Sequence, residues 1–174
     1  MGLSRNQQWG HWSLNAYETK ISDLIVALPP DYIPVNFDKA RIRGLEAIVS
    51  VRIAGWNVDN DLTILDPVNE SAGPENGNLL PRRAQQSYRL DVYRAFGRFQ
   101  VGGSLYVAGR RFDDPANTIR LNPYSLVGLR VEYALSKAWR LQGRIENLFN
   151  TNYETAAYYN QPGRAVYLTL RYQP

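Results

Sequence analysis

Apolar and polar side chains alternate at a period of two along most of this chain, the pattern of a strand whose two faces meet different surroundings. The apolar series run Trp12, Leu14 and Ala16; Leu45, Ala47, Val49, Val51 and Ile53; Trp56, Val58, Leu62 and Ile64; and Tyr88, Leu90 and Val92. They continue as Phe99, Val101, Leu105 and Val107; Val127, Leu129, Val131 and Tyr133; Trp139, Leu141, Ile145 and Phe149; and Val166, Leu168, Leu170 and Tyr172. Ile48 breaks the rhythm of its segment. The 174 residues therefore divide into about eight antiparallel strands of about ten residues each, an all-β chain.

The connections alternate too. Residues Ser22 to Ala40, Asp66 to Pro81, Arg110 to Pro123 and Asn150 to Gly163 read as long polar loops. Ala54-Gly55, Arg94 to Arg98 and Ala134 to Ala138 read as tight turns. Transmembrane barrels of the bacterial outer membrane have short periplasmic turns and longer extracellular loops, so this asymmetry implies such a barrel, with both chain ends periplasmic and the long loops outside. A soluble antiparallel sandwich also alternates. Against it stand the long/short loop pattern, the charge density at the polar positions, and aromatics at strand ends: Trp12, Trp56, Tyr88, Phe99, Tyr133, Trp139, Phe149 and Tyr172, where an interfacial girdle would need them.

Composition removes other classes. No apolar run exceeds Leu24 to Leu28, far below the roughly 18 residues of a spanning helix. The chain has no cysteine and one histidine, His11, so disulfides, thiolate metal sites and histidine-based catalysis are not expected, and neither is an enzyme. The net charge of +4 is spread over arginines from Arg5 to Arg171, too diffuse for a nucleic-acid surface. Asp59, Asp61, Asp66, Glu70 and Glu75 do not follow a calcium-loop spacing, and no metal or cofactor is expected. The N-terminus lacks the apolar core of a secretory signal, which implies a protein that is not exported, or a mature or truncated piece.

Arg43, Arg52, Arg89, Arg130, Arg140 and Arg144, set against Glu46, Asp91, Glu132 and Glu146, suggest ion-pair ladders between neighbouring strands on a polar lumen face. Mid-depth arginine on the lipid face would cost about 2 to 4 kcal/mol, so Ile48→Arg or Leu168→Arg is expected to damage assembly more than Arg144→Ala. Gly102-Gly103 marks a bulge, a close approach or simple weakening of its strand. Asn147 and Asn150 are placed to cap backbone where a strand leaves the ladder. In the last loop Tyr153, Tyr158 and Tyr159 offer flat apolar rings with polar tips, suited either to a large amphipathic ligand or to interfacial anchoring.

The segment Arg144-Ile145-Glu146-Asn147-Leu148-Phe149-Asn150-Thr151-Asn152-Tyr153, followed by Gln161-Pro162-Gly163-Arg164 and a final strand, resembles the C-terminal end of TonB-dependent outer-membrane receptors. Ala40-Arg41-Ile42-Arg43-Gly44-Leu45-Glu46-Ala47, Leu80-Pro81-Arg82-Arg83-Ala84 and Gly109-Arg110-Arg111-Phe112-Asp113-Asp114 fit the same family, and the set is most similar to its cobalamin (vitamin B12) receptor branch. Such receptors are 22-stranded barrels with a plugged lumen. The resemblance implies that residues 1–174 are the C-terminal part of such a barrel, without plug or TonB-contacting segment, incomplete for energised transport alone. Its partners would be outer-membrane lipid, the remaining strands and plug, TonB through the absent N-terminal part, and cobalamin, with Tyr159 at the ligand mouth. A siderophore receptor fragment and a self-contained eight-stranded barrel acting as a structural protein or small pore are the alternatives. Closing strands of the family usually finish on Phe or Trp, whereas this chain finishes Tyr172-Gln173-Pro174.

Overall fold

The computed structural model describes residues 1–28 and 33–173. Its strands are β1 (Gly2–Gln7), β2 (Gly10–Leu28), β3 (Ile33–Ile53), β4 (Trp56–Asn69), β5 (Gln86–Phe96), β6 (Phe99–Ala108), β7 (Arg111–Phe112), β8 (Arg120–Leu121), β9 (Tyr124–Ala134), β10 (Trp139–Glu146), β11 (Glu154–Ala156), β12 (Tyr159–Asn160) and β13 (Ala165–Tyr172). Nine of them form one antiparallel sheet in the order β1-β2-β3-β4-β5-β6-β9-β10-β13. The expected strands are all present, and β1 is additional. Its Gly2-Leu3-Ser4-Arg5-Asn6-Gln7 carries one large apolar residue and so no readable alternation; it is strand because its backbone pairs with β2, Gly2 opposite Asn15 through Gln7 opposite Gly10.

The register separates two faces, because directly opposed residues in antiparallel strands share a side. One face gathers Leu14 with Ala47 and Leu62, Tyr88 with Val107, Leu105 with Val127, and Leu141 with Tyr133 and Leu170. The other gathers Asn15 with Glu46 and Thr63, Asp61 with Arg89, and Arg144 with Arg130 and Tyr167. No second layer covers the apolar face among the described residues: Leu129 is 45% exposed, Val166 73% and Leu168 77%. A sandwich would have buried these side chains in a dry centre, and the sheet does not. It is also open. β1 and β13 lie at opposite ends and do not pair, so the closed eight-stranded alternative lacks its closing ladder.

Ile48 lies on the polar face between Ser13 and Asp61, so Ile48→Arg would not place charge in lipid. Val49, one residue on, faces outward opposite Trp12.

Turns at one end are tight. Gly97 has φ 58°, the first central position of a two-residue turn that joins Phe96 to Phe99, and a side chain there would be strained. At the other end the strands outrun the expected loops. β2 and β3 stay paired through Leu24 opposite Phe37, and β4 reaches Asn69, so most of the described part of Ser22 to Ala40 is extended hairpin; residues 29–32 of that segment lie outside the described residues. The apolar spacing of Ile21, Leu24 and Phe37 explains the extension, since these residues pack with Ala40, Ile42 and Leu80 into a small core. The Arg110–Pro123 and Asn150–Gly163 loops carry the short pairs β7·β8 and β11·β12. β10 stops at Glu146, short of Phe149, because Asn147 turns the chain with φ 49°. Every described residue that is buried, including Phe37, Leu80, Ala108, Asp113, Leu121, Asn147 and Ala157, belongs to this long-loop end, which forms a cap on the sheet.

Candidate functional site

The polar face is organised around one arginine that crosses a strand. Arg130 on β9 lies opposite Gly102 on β6, and its guanidinium passes over that glycine to Asp91 on β5, with Nη1 and Nη2 donating to the two carboxylate oxygens at 2.7 and 2.6 Å. A Cβ at Gly102 would stand 3.0 Å from the Arg130 guanidinium and 2.9 Å from the Val92 carbonyl. The register runs through Gly102-Gly103 without a bulge, so close approach is what the first glycine provides. Arg140 donates to Glu132 at 2.7 Å across β9 and β10. Arg144 lies 3.5 Å from Glu146 and 4.3 Å from the Tyr167 ring centroid. Glu46 accepts from the Tyr17 hydroxyl at 3.0 Å, and Arg89 rests over Tyr106 at 5.7 Å. Arg52 and Arg89 have no carboxylate within 4.0 Å among the described residues.

Arg43 differs from its expected place. Its parity is that of Leu45 and Ala47, so the register puts it on the outward face above the apolar band, where it donates to Glu18 at 2.6 Å. Beside it Arg41 donates to Glu70 at 2.5 Å and Asp66 at 3.2 Å, forming a charge-balanced rim.

The cap is joined by hydrogen bonds between loops far apart in sequence. Arg82 grips Asp113 at 2.7 and 3.4 Å, and Asp113 is only 2% exposed. Asn117 exchanges two hydrogen bonds with the Leu79 backbone at 2.8 and 2.9 Å, and Asn78 donates to the Pro115 carbonyl at 2.9 Å. Asp114 folds its own loop. Burial alone would raise its pKa, but the amides of Ile119 and Thr118 and the Thr118 hydroxyl donate to the carboxylate and hold it below the ordinary aspartate value. Asn147 accepts from the Thr151 amide at 2.8 Å and donates to the Thr151 carbonyl at 2.9 Å; Asn150 accepts from the Arg164 amide at 2.9 Å. Both asparagines thus cap backbone where the sheet ends.

Of the tyrosines proposed from sequence, Tyr153 packs against Tyr124 with ring centroids 4.5 Å apart, and Tyr124 leans towards Tyr106 at 6.0 Å. Arg111 reaches over Tyr124 and donates to the Glu154 carbonyl. Tyr153 separates two clefts. One, of about 320 Å³, is lined by Arg120, Asn122, Tyr124, Asn152, Glu154 and Asn160. The other, of about 240 Å³, lies over the polar face between Tyr106, Glu146 and Tyr167. Tyr158 and Tyr159 lie at the tip of the β11·β12 hairpin, 79% and 49% exposed. Tyr106, Tyr124 and Arg111 had no place in the sequence reading of the mouth. Tyr106 shares the polar parity of its strand, a signal that could have found it, whereas Tyr124 meets Tyr153, and Arg111 meets Tyr124 and the Glu154 carbonyl, only through loop folding. Among the described residues no three potential metal ligands converge. The arrangement offers rings, amides and guanidinium groups around clefts, which suits binding rather than bond-making.

The family model described as TonB dependent receptor-like, beta-barrel matches residues 2–148. A protein named Vitamin B12 transporter BtuB from Photobacterium profundum is 29% identical over 180 residues, covering 99% of this chain and 29% of the relative. Another of that name from Vibrio cholerae serotype O1 is 31% identical over 169 residues, covering 93% and 27%. The chain thus spans less than a third of the curated relatives it matches. Among solved structures, the ferric citrate transporter FecA in its unliganded form superimposes with a TM-score of 0.86 at 17% identity, over 98% of this chain and 30% of that one. The siderophore receptor PiuA from Acinetobacter baumannii gives 0.80 at 21% identity, over 98% and 27%. At these identities the structural likeness concerns the fold.

Proposed function

This chain belongs to the TonB-dependent receptor β-barrel family, a family of outer-membrane receptors and not of enzymes, and within it we propose that residues 1–174 form the C-terminal wall of a cobalamin receptor. The observation that carries this reading is the likeness to two vitamin B12 transporters along 93–99% of the chain. The open sheet agrees with it, because unpaired N–H and C=O groups at β1 and β13 cannot be left in hydrocarbon and require further strands. Those strands, a plug in the lumen, and TonB engaging the plug side complete the transporter. The short turns and the C-terminal end of β13 face the periplasm and the cap faces outside. The additional strand β1 starts opposite Asn15 and Ala16, part-way up the wall, so the N-terminal end does not share the periplasmic rim expected from eight strands. Tyr153, Tyr158 and Tyr159 lend rings to the ligand mouth. The Arg130–Asp91 and Arg140–Glu132 pairs hold the wall's polar face.

Titrating the whole receptor that contains this chain with cyanocobalamin and, separately, with ferric siderophores tests the assignment. Saturable binding of cyanocobalamin alone is expected. Tyr158→Ala together with Tyr159→Ala is expected to weaken it by about tenfold, in keeping with about 1 kcal/mol or less for each exposed ring. Saturable binding of a ferric siderophore without cobalamin would transfer the wall to the iron receptors.

A further inference from the structure

We infer that the outward face of the short-turn rim is a docking surface for the phosphate groups of anionic phospholipids. The inference rests on the membrane barrel and is independent of the ligand the receptor carries.

The rim is built from aromatics on the apolar face. Trp56 meets Phe96 edge-on at 6.0 Å, Phe99 meets Tyr133 at 4.6 Å, and Trp139 meets Tyr172 at 4.8 Å. Rings of this kind anchor at the headgroup level. Arginines are clamped among them. Arg94 shares the outward side with Val101, its guanidinium 4.5 Å from the Phe96 centroid and 5.9 Å from that of Trp56. It crosses to the next turn, where Gly55 has no side chain to obstruct it; a Cβ there would lie 3.2 Å from Arg94 Nε. Arg98 lies 5.4 Å from the Tyr133 ring and ties two neighbouring turns together through the Ala134 carbonyl at 2.8 Å and the Leu135 carbonyl. Arg5 shares the same face opposite Trp12, and Lys137 sits in the adjacent turn.

Among the described residues no carboxylate pairs with Arg94 or Arg98. Glu132 and Asp59, on the strands of this part of the sheet, both lie on the polar face. At the opposite rim the outward face alternates Glu18, Lys20, Arg41, Arg43, Asp66 and Glu70 in pairs that neutralise one another. Arg94 therefore has ring faces on its flanks and no carboxylate within 4.0 Å among the described residues, while Arg98 keeps its second terminal nitrogen free of protein acceptors there. A guanidinium held at headgroup depth with unspent donors matches a phosphate diester in geometry as well as charge. Each basic residue near an anionic lipid surface contributes about 1 kcal/mol, which is about fivefold in relative affinity.

The test reconstitutes the whole receptor in vesicles of phosphatidylcholine with phosphatidylglycerol and measures which spin-labelled lipid is immobilised at the barrel surface. Phosphatidylglycerol is expected to be favoured over phosphatidylcholine. The Arg94→Gln, Arg98→Gln pair should lower that preference by more than tenfold, Arg94→Lys with Arg98→Lys should keep most of it, and Arg43→Gln at the opposite rim should leave it unchanged. If the glutamine variant does not assemble, loss of the wild-type preference on raising salt carries the same information. Equal immobilisation of the two lipids by the wild type, or a preference that survives removal of both arginines or is insensitive to salt, would overturn the inference.

Discussion

The band of paired strands and the cap of loops above it are held by different physics. In the band nothing is buried by protein alone: Leu168 and Leu170 on β13 are 77% and 57% exposed, and their stability comes from hydrocarbon on one face and satisfied ladders within the sheet. In the cap, Phe37, Leu80 and Leu121 are 1–2% exposed and a buried aspartate is gripped by an arginine from another loop, as in a water-soluble domain. The band thus requires a membrane to be stable and the cap does not. Changes in one should be separable from changes in the other.

The largest separation is expected from charge placed on the band's outer face. Leu168→Arg or Val49→Arg should cost about 2 to 4 kcal/mol and abolish the heat-modifiable gel migration of the assembled receptor. Arg144→Ala should leave that migration intact, because its partner Glu146 is half exposed and such pairs contribute about 1 kcal/mol or less. Equal damage from the two kinds of change would break the distinction between the faces. Next in size is Arg82→Ala, which strands the Asp113 carboxylate at 2% exposure. The arginine is 30% exposed, so the cost is about 2 kcal/mol, below that of a fully buried pair. Proteolysis within residues 70–85 and 109–123 should accelerate while gel migration of the barrel persists. Simultaneous loss of both would mean that cap and band form one cooperative unit.

The same division decided what could be read from the sequence. The band was legible because alternation is a local property: each strand advertises its own two faces, and the parity of Ile48 and Arg43 already assigns them correctly when it is followed strictly. Arg43 has the parity of Leu45, and grouping it with the lumen charges followed its charge instead of its position. β1 was not legible because one leucine among polar residues sets no period, and only the neighbouring strand makes it a strand. The cap was opaque for a different reason. Arg82 with Asp113, Asn117 with Leu79, and Arg111 with Glu154 are 31 to 43 residues apart, and nothing in either segment specifies the other. Asn147 could be anticipated because it caps backbone four residues away at Thr151; Asn150 has the same residue type at the same strand end, but its bond reaches the Arg164 amide across the last loop.

Within the band the finest probe is the strand-crossing arginine. Arg130→Ala leaves Asp91 facing a wet lumen at 31% exposure, so about 1 kcal/mol is expected, seen as a small fall in the unfolding midpoint in denaturant. Gly102→Val should cost at least as much with both charges retained, because the guanidinium can no longer pass. A silent Gly102→Val would mean that Arg130 reaches Asp91 by another route.

The smallest effect belongs to the cap and concerns pH. Asp114 has its pKa held below the ordinary 3.8 in the folded loop, opposed by burial but dominated by three donated hydrogen bonds. A carboxylate depressed on folding stabilises fully above its unfolded pKa, and that contribution is lost as pH falls through the folded value. The loop at 109–123 should therefore be intact at pH 5 and loosen progressively from about pH 4 downward. Exchange of the Thr118 and Ile119 amides, compared with Asp114→Asn at each pH, reads this directly: protection should exceed that of the variant above pH 4 and converge with it in acid. The ladder amides between β9 and β10 have no such carboxylate acceptor and should show no convergence. A parallel acid response in both places would place the transition in the sheet and not in the cap.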